Sequence, residues 1–419
     1  MLTFKVNEKD FTRNRKQPFS HVILFMLNLL RKSLGIEIDN FVRFMSEKLS
    51  NIKAVEFTSS AFVQNRKKIN PSVFQHLSDV ITTNYYELES SSIRLFHGLR
   101  ILAVDGSLFT LPNNSTLKKD FGFSKNQTQT EIVQARSSVL YDVLNKFVLD
   151  SSISHVSVKE RELALKHHVK CKKNDLIIYD RGYPGYDFFY KHITNSINFL
   201  MRMKVSESNV VKDFVKSGKR SVIIDFMPAQ HKSFKDKEYT KESRLKIRLL
   251  RIELPNGEIE VLATSLIDSV RYPSKMFKEL YFKRWGIETF YDELKNKLKV
   301  EYFTGYSSQS IEQDFYCAIF ISNLQTVVVN GVQEELEEQN KEKKYDYKIN
   351  TNLSYGFLKN RVLELLCSET PIEKVLKELE ELFLKNTIPI RPGRTNPRKK
   401  DKFKNRLKPK VLKNQKDAI

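Results

Sequence analysis

Three acidic residues stand where metal chemistry based on oxygen ligands would need them. Asp105 follows the apolar run Ile101-Leu102-Ala103-Val104, and Asp180 follows Leu176-Ile177-Ile178-Tyr179. Glu288 lies within Tyr281-Phe-Lys-Arg284-Trp-Gly-Ile-Glu288-Thr-Phe-Tyr-Asp-Glu-Leu-Lys295. Carboxylates alone suit hard divalent cations such as Mg²⁺ or Mn²⁺; a pair of such ions can activate a water or a 3′-hydroxyl and stabilise the leaving oxygen in phosphoryl transfer. On one continuous helix Tyr281, Arg284, Glu288 and Lys295 share a narrow stripe, because positions seven apart are only about 20° out of phase. Ile287, Phe290, Leu294 and Leu298 form a second stripe that faces a core. The polar stripe could hold phosphates on either side of a scissile bond.

Taken singly, each acid has a plainer explanation. Asp105-Gly106 is a common turn pair, Asp180-Arg181-Gly182 a turn with local pairing, and Arg284 with Glu288 an ordinary helical ion pair. Their joint occurrence in matching elements is what points to a site. Asp225 also ends an apolar strand but falls in a segment read as an insertion, and Asp142, Asp292 and Glu293 are set aside with it.

The elements that must position these residues follow an α/β order. Residues from about Ser20 to Thr83 have helical periodicity, with Thr58-Ser59-Ser60 capping a helix from Ala61 to Ile69 and Pro71 opening the next. Between them runs Gln64-Asn65-Arg66-Lys67-Lys68, which gives a helix-turn-helix with a basic face suited to DNA. From Arg100 the period shortens: a strand ending at Asp105, a hairpin from Ala135 to Ser152, a helix from Val158 to Val169, a strand ending at Asp180, a helix from Tyr186 to Thr194 and a strand from Phe199 to Met203. Both aspartates thus fall at strand C-termini, where open α/β sheets place their sites. Arg220–Phe226, Leu245–Leu254 and Glu258–Leu266 are strand-like, with a hairpin turn at Pro255-Asn256-Gly257 and many cations, among them Lys241, Arg244, Lys246, Arg248 and Arg251. Helices return from Ser310 to Glu338 and from Tyr355 to Leu384, and the Lys/Arg-rich end, Arg391 to Lys416, reads as a disordered basic arm.

Composition narrows the partner. Lys and Arg outnumber Asp and Glu by 71 to 50, a formal net charge of +21, which favours an extended polyanion, nucleic acid first. The most apolar run, His21 to Leu30, is far short of the roughly 20 residues that span a bilayer, and no signal peptide precedes it. Three well-separated cysteines, Cys171, Cys317 and Cys367, give neither a zinc spacing nor a disulfide framework, so a reducing cytoplasm is the simplest compartment. The adjacent pair His167-His168 would point two ways from a helix.

The order Asp105-Gly-Ser, Asp180-Arg-Gly-Tyr183 and the Tyr281, Arg284, Glu288, Lys295 spacing resembles the DDE transposases of bacterial insertion sequences, specifically the group with a β insertion before the Glu helix. The resemblance runs from about Ser60 to Leu324. It implies a ribonuclease-H-like catalytic core at 99–203 and 268–325, a β-rich insertion at 204–267, a helical DNA-binding domain at 1–98, a C-terminal helical region at 326–388 and a basic tail at 389–419. It further implies that Asp105, Asp180 and Glu288 hold two Mg²⁺ ions, which Mn²⁺ can replace. Tyr281, Arg284 and Lys295 then match residues that contact transposon-end DNA, and Arg66, Lys67 and Lys68 are expected to add contacts. Implied partners are terminal inverted repeats and target DNA, bound by a homodimer on the bacterial nucleoid. In well-known relatives a Trp of the β insertion stacks on a flipped base. Here the only Trp is Trp285, leaving Phe226, Phe234 or Tyr239 as substitutes and the hairpin intermediate open. Two other functions share these features: an end-binding repressor without catalysis, and a metal-dependent nuclease without strand transfer.

Overall fold

The computed structural model describes residues 2–13, 16–28, 30, 32–48, 55–88, 92–125, 129–206, 208–229, 234–359 and 361–391. The apolar runs become one nine-stranded mixed sheet. Its strands are β1 (Arg100–Thr110), β2 (Phe123–Lys125), β3 (Glu131–Asp142), β4 (Val148–His155), β5 (Asp175–Tyr179), β6 (Asn198–Met203), β7 (Ser221–Phe226), β8 (Leu245–Glu253) and β9 (Ile259–Thr264). β1 pairs antiparallel with β3 and β3 with β4, while β5 and β6 run parallel to β1. The order β4-β3-β1-β5-β6, a three-stranded meander followed by two parallel crossovers, is ribonuclease-H-like.

The strands between 204 and 267 continue this sheet. β9 lies antiparallel on β6, β8 on β9 and β7 on β8, so the path ends at the edge strand β7. The β8–β9 turn forms at Pro255-Asn256-Gly257, where Gly257 takes φ +80°, a left-handed conformation that costs glycine little. Arg248, one of the cations of this segment, is buried. It donates to Ser221 Oγ, the Tyr272 carbonyl and Ser274 Oγ, and lies over the Phe277 ring, tying the strands to the chain that follows them.

Helices cover both faces. They are α1 (Phe19–Leu27), α2 (Leu34–Lys48), α3 (Ser59–Arg66), α4 (Ser72–Leu88), α5 (Ser115–Phe121), α6 (Glu160–Lys166), α7 (Tyr186–Thr194), α8 (Asn209–Lys216), α9 (Met276–Phe282), α10 (Trp285–Asp292), α11 (Ser308–Gly331), α12 (Gln333–Lys341), α13 (Thr351–Leu358), α14 (Arg361–Cys367) and α15 (Ile372–Lys385). Strand pleating sorts β1 between two cores. Ile101, Ala103 and Phe109 pack with Ile287 and Phe290 of α10, whereas Leu102 and Val104 pack with Ala164 of α6 and Tyr183. The first core also takes in Phe25, Phe41 and Phe62 from the N-terminal helices and Leu363 and Phe383 from the C-terminal ones. The long helix α11 opens on a capping box between Ser307 and Ser310 and is buried along most of its length between these layers. Among the described residues no single helix is long and apolar enough to cross a membrane; α11 with α12 passes on length and composition only as a bent pair. The basic segment beyond Arg391 lies outside the described residues.

Candidate active site

β1 runs further than the sequence indicates. The strand continues to Thr110, so Asp105 sits within it rather than at its end. Its parallel neighbour is shorter: β1 and β5 pair from Arg100 with Asp175 to Ala103 with Ile178, and continuing that register puts Asp105 level with Asp180. Past Tyr179 one side of β1 therefore opens, and both carboxylates stand at the opening. Asp105 Oδ1 accepts from the Gly106 amide at 2.9 Å, and Asp180 Oδ1 from the Gly182 amide at 2.7 Å.

Glu288 reaches this point on α10, which is not part of one continuous helix. α9 ends at Phe282; hydrogen bonds spanning three residues, from Gly286 to Lys283 and from Ile287 to Arg284, tighten the link. After Asp292 the chain loosens into a π turn over Glu293–Lys297. The single stripe expected for Tyr281, Arg284, Glu288 and Lys295 is thus corrected, because overwinding before Glu288 and underwinding after it both shift the phase. Lys295 turns toward the strand, where its Nζ donates to the Leu108 carbonyl at 2.9 Å above the Phe109 ring. Tyr291, one turn after Glu288, donates to the carbonyl of Asp105 at 3.0 Å and lies 3.4 Å from Ser137 Oγ. These two side chains fasten α10 and the π turn across β1. Nothing in the sequence singled out Tyr291 as one of them.

Charge is concentrated at the opening. Arg284 Nη2 donates to Glu288 Oε1 at 2.7 Å, while its buried Nε–H has no partner among the described residues. Burial works against the Arg284 charge, but the hydrogen bond to Glu288 and the nearby Tyr281 and Asp105 outweigh it and raise its pKa. Burial pushes the Asp105 carboxyl up to about 6, the charges of Asp180 and Glu288 add to the rise, and the Gly106 amide and Arg284 oppose it. Half-buried Tyr281 is pushed up to about 12, by burial first, with Arg284 and Arg202 opposing. As the side chains stand, no three His, Cys, Asp or Glu among the described residues converge tightly enough to hold a metal ion, since each carboxylate turns to its own local donor. The donor set is nevertheless all oxygen and carries mutual repulsion that a cation would relieve, so the chemistry of these residues fits a hard divalent cation.

Other candidates are placed elsewhere. Arg66 is corrected: it is 3% exposed, and its guanidinium donates to Gln313, Thr304, the Ser310 carbonyl and Asp314, joining α3 to α11 rather than facing DNA. Lys67 is exposed, and Lys68 is half-buried with its Nζ on Asn65. Asp142 is buried in the β3–β4 turn, accepting from Tyr86 and Asn145. Asp225 faces Lys246, Asp292 holds Asn296, and Glu293 pairs with Lys297. Phe226, Phe234 and Tyr239 gather with Tyr186 and Tyr190 of α7. Ser138, His167 and Asp150 make a Ser-His-Asp contact, but Ser138 and His167 are 1% exposed and unreachable by a substrate. A cleft of about 640 Å³ lies along α10, lined by Lys146, Phe290, Glu293 and Tyr355; none of the three carboxylates borders it.

The family model described as the transposase DDE domain matches residues 96–324, more than half the chain and the whole of β1 through α10. The chain belongs to the DDE transposase family. Among solved structures this transposase is similar to the cryo-EM structure of a piggyBac transposase synaptic complex with hairpin DNA. The likeness covers 96% of this chain and 83% of that one, at 10% identity and a TM-score of 0.41, too slight to bear on residue roles. Curated proteins give no match. The transposase thus carries its family domain on the ribonuclease-H-like sheet, with α10 laid across the open edge of β1.

Proposed function

We propose that Asp105, Asp180 and Glu288 are the catalytic carboxylates, and that the enzyme binds the terminal inverted repeats of its own element, cleaves there and joins the freed 3′ ends to target DNA. One observation carries this: the β1–β5 register sets two aspartates level at an open strand edge, and Tyr291 fastens the Glu288 helix to the carbonyl of one of them. When bound, a pair of Mg²⁺ ions would activate the attacking water or 3′-hydroxyl and neutralise charge on the leaving oxygen, with Mn²⁺ able to substitute. Asp105, Asp180 and Glu288 would supply the ligands.

The remaining groups act on DNA. Arg284, hydrogen-bonded to Glu288, clamps the phosphate next to the scissile bond. Lys295 exchanges the Leu108 carbonyl for a neighbouring phosphate, and Tyr281 contacts the same strand. Exposed Lys67, Lys68 at its side and the basic segment beyond Arg391 add backbone contacts that position the ends without reading sequence. A homodimer pairs the two ends, in the cytoplasm on nucleoid DNA. Glu288→Gln on a labelled duplex carrying the repeat that flanks its own gene tests the assignment. The variant should bind within a few-fold of wild type and fail to cleave; full cleavage would refute it, and loss of both activities would place Glu288 in folding.

A further inference from the structure

A fourth carboxylate lies against the residue after Asp105, on the opposite face of the sheet. Gly106, the next residue of β1, turns toward α6; a Cβ there would lie 3.0 Å from Glu160 Cγ and 3.3 Å from its Oε1. Glu160 therefore occupies the space that any other residue at 106 would fill with its own side chain. The Asp105 carboxylate meanwhile turns back to the Gly106 amide at 2.9 Å, so the two acids flank one bare peptide. Glu160 is held by an ion pair to Arg136 of β3, yet its side chain is 45% exposed. Arg136 also donates to the Val156 carbonyl at 3.2 Å, so one cation serves both the acid and the chain leading to α6.

A second feature points to a ligand at the same place. Tyr183 is 1% exposed, with its ring against Tyr179 at 4.9 Å, and its hydroxyl has no hydrogen-bond partner among the described residues. Burial first, and then the charges of Asp105 and Glu160, push the pKa of that hydroxyl up, so it lies within electrostatic reach of both acids. A buried phenol left unpaired costs about 1–3 kcal/mol, which the packing alone does not explain.

We propose, building on the assignment of Asp105, Asp180 and Glu288, that Glu160 is a fourth acidic residue of the divalent-cation centre. It reaches the centre from the α6 face while Glu288 reaches it from the α10 face, and the Tyr183 hydroxyl hydrogen-bonds to the liganded Glu160. Two divalent ions bring four positive charges, which four carboxylates balance and three do not. Arg136 competes with the cation for Glu160, and Gly106 keeps the passage between the two acids open.

Mn²⁺ alone, titrated by electron paramagnetic resonance into the DNA-free full chain, tests this without reference to catalysis. Glu160→Gln should weaken Mn²⁺ binding by about tenfold or more. Its melting temperature in EDTA should stay close to wild type, because a half-exposed ion pair contributes little. Arg136→Met should bind Mn²⁺ at least as tightly as wild type, and Glu160→Asp, too short to span the gap, should resemble Glu160→Gln. Unchanged Mn²⁺ affinity in Glu160→Gln, with Asp105→Asn losing it, would overturn the role of Glu160 alone. If Glu160→Gln does not fold, wild-type affinity in Gly106→Ala, whose Cβ displaces Glu160, overturns it equally. Asp105→Asn binding Mn²⁺ as tightly as wild type would overturn the underlying three-carboxylate assignment, whatever Glu160 does.

Discussion

At the residue scale the decisive feature is a carboxyl kept against its preference. Asp105, pushed up to about 6 by burial and by its acidic neighbours, holds its proton to higher pH in the folded chain than in the unfolded one. A raised pKa stabilises the fold below the ordinary carboxyl range, and that contribution is lost as pH rises through about 6. Asp105→Asn should therefore be more stable than wild type at pH 8 in EDTA, by about 1–3 kcal/mol, and gain nothing at pH 4. Urea midpoints at the two pH values measure this; an equal effect at both would mean that Asp105 is not under electrostatic strain. Tyr291→Phe removes the bond that sets α10 on β1. It should cost about 1 kcal/mol of stability and, through a loosened Glu288, lower cleavage about tenfold or more while end binding holds. A variant with full turnover would show that packing by Phe290 and Ile287 already fixes the helix. The three acids were legible in the sequence because each follows an apolar run or sits among helix-spaced cations. Tyr291 and Glu160 were not, since a tyrosine on an apolar stripe and a glutamate opening a helix carry no local signal; only strand register reveals what they touch.

At the scale of elements, the sequence conveyed existence and order better than phase. The apolar runs of β1, β5 and β6 and the Pro255-Asn256-Gly257 turn fall where periodicity and turn chemistry put them. The extent of β1 was missed because Asp105-Gly106-Ser107 has a turn-like composition, yet pairing with Val139, Ser138 and Ser137 of β3 holds it extended. The break between α9 and α10 and the π turn at Glu293–Lys297 were missed as well. No proline or glycine pattern marks the π turn, and the capture of Lys295 by the Leu108 carbonyl is a tertiary contact. Arg66 teaches the same lesson in reverse: a basic run suggests a solvated or DNA-facing surface, but Gln313 and Asp314 of α11 wait beneath it. Arg66→Met should destabilise by about 3 kcal/mol, because it removes the one ion pair that the Asp314 carboxylate makes among the described residues and leaves it on Thr304. The salt dependence of DNA binding should be unchanged in that variant, and a flatter slope would restore Arg66 as a phosphate contact.

At the scale of the whole molecule, one sheet and the two cores on its faces join segments that the composition suggested were separate. The strands between 204 and 267 extend the sheet from β6, and helices from both ends of the chain pack into the core beneath α10. Such sharing was not legible, because a strand's apolar alternation does not reveal which edge it will join. The net charge of +21 was legible, and it sets the expectation for binding. The logarithm of affinity for repeat DNA should fall steeply with the logarithm of salt. Removing residues 392–419 should flatten that slope by about 0.9 for each phosphate that their cations neutralise; an unchanged slope would exclude the segment from the DNA interface.

The central claim is that Asp105, Asp180 and Glu288 act together as metal ligands in DNA cleavage, and replacement by cysteine tests it most directly. Each single Cys variant, incubated with the labelled repeat duplex, should be inactive in Mg²⁺ and regain part of its cleavage in Mn²⁺, which accepts a thiolate more readily. Cleavage at the wild-type level in Mg²⁺ by any of the three would contradict the account.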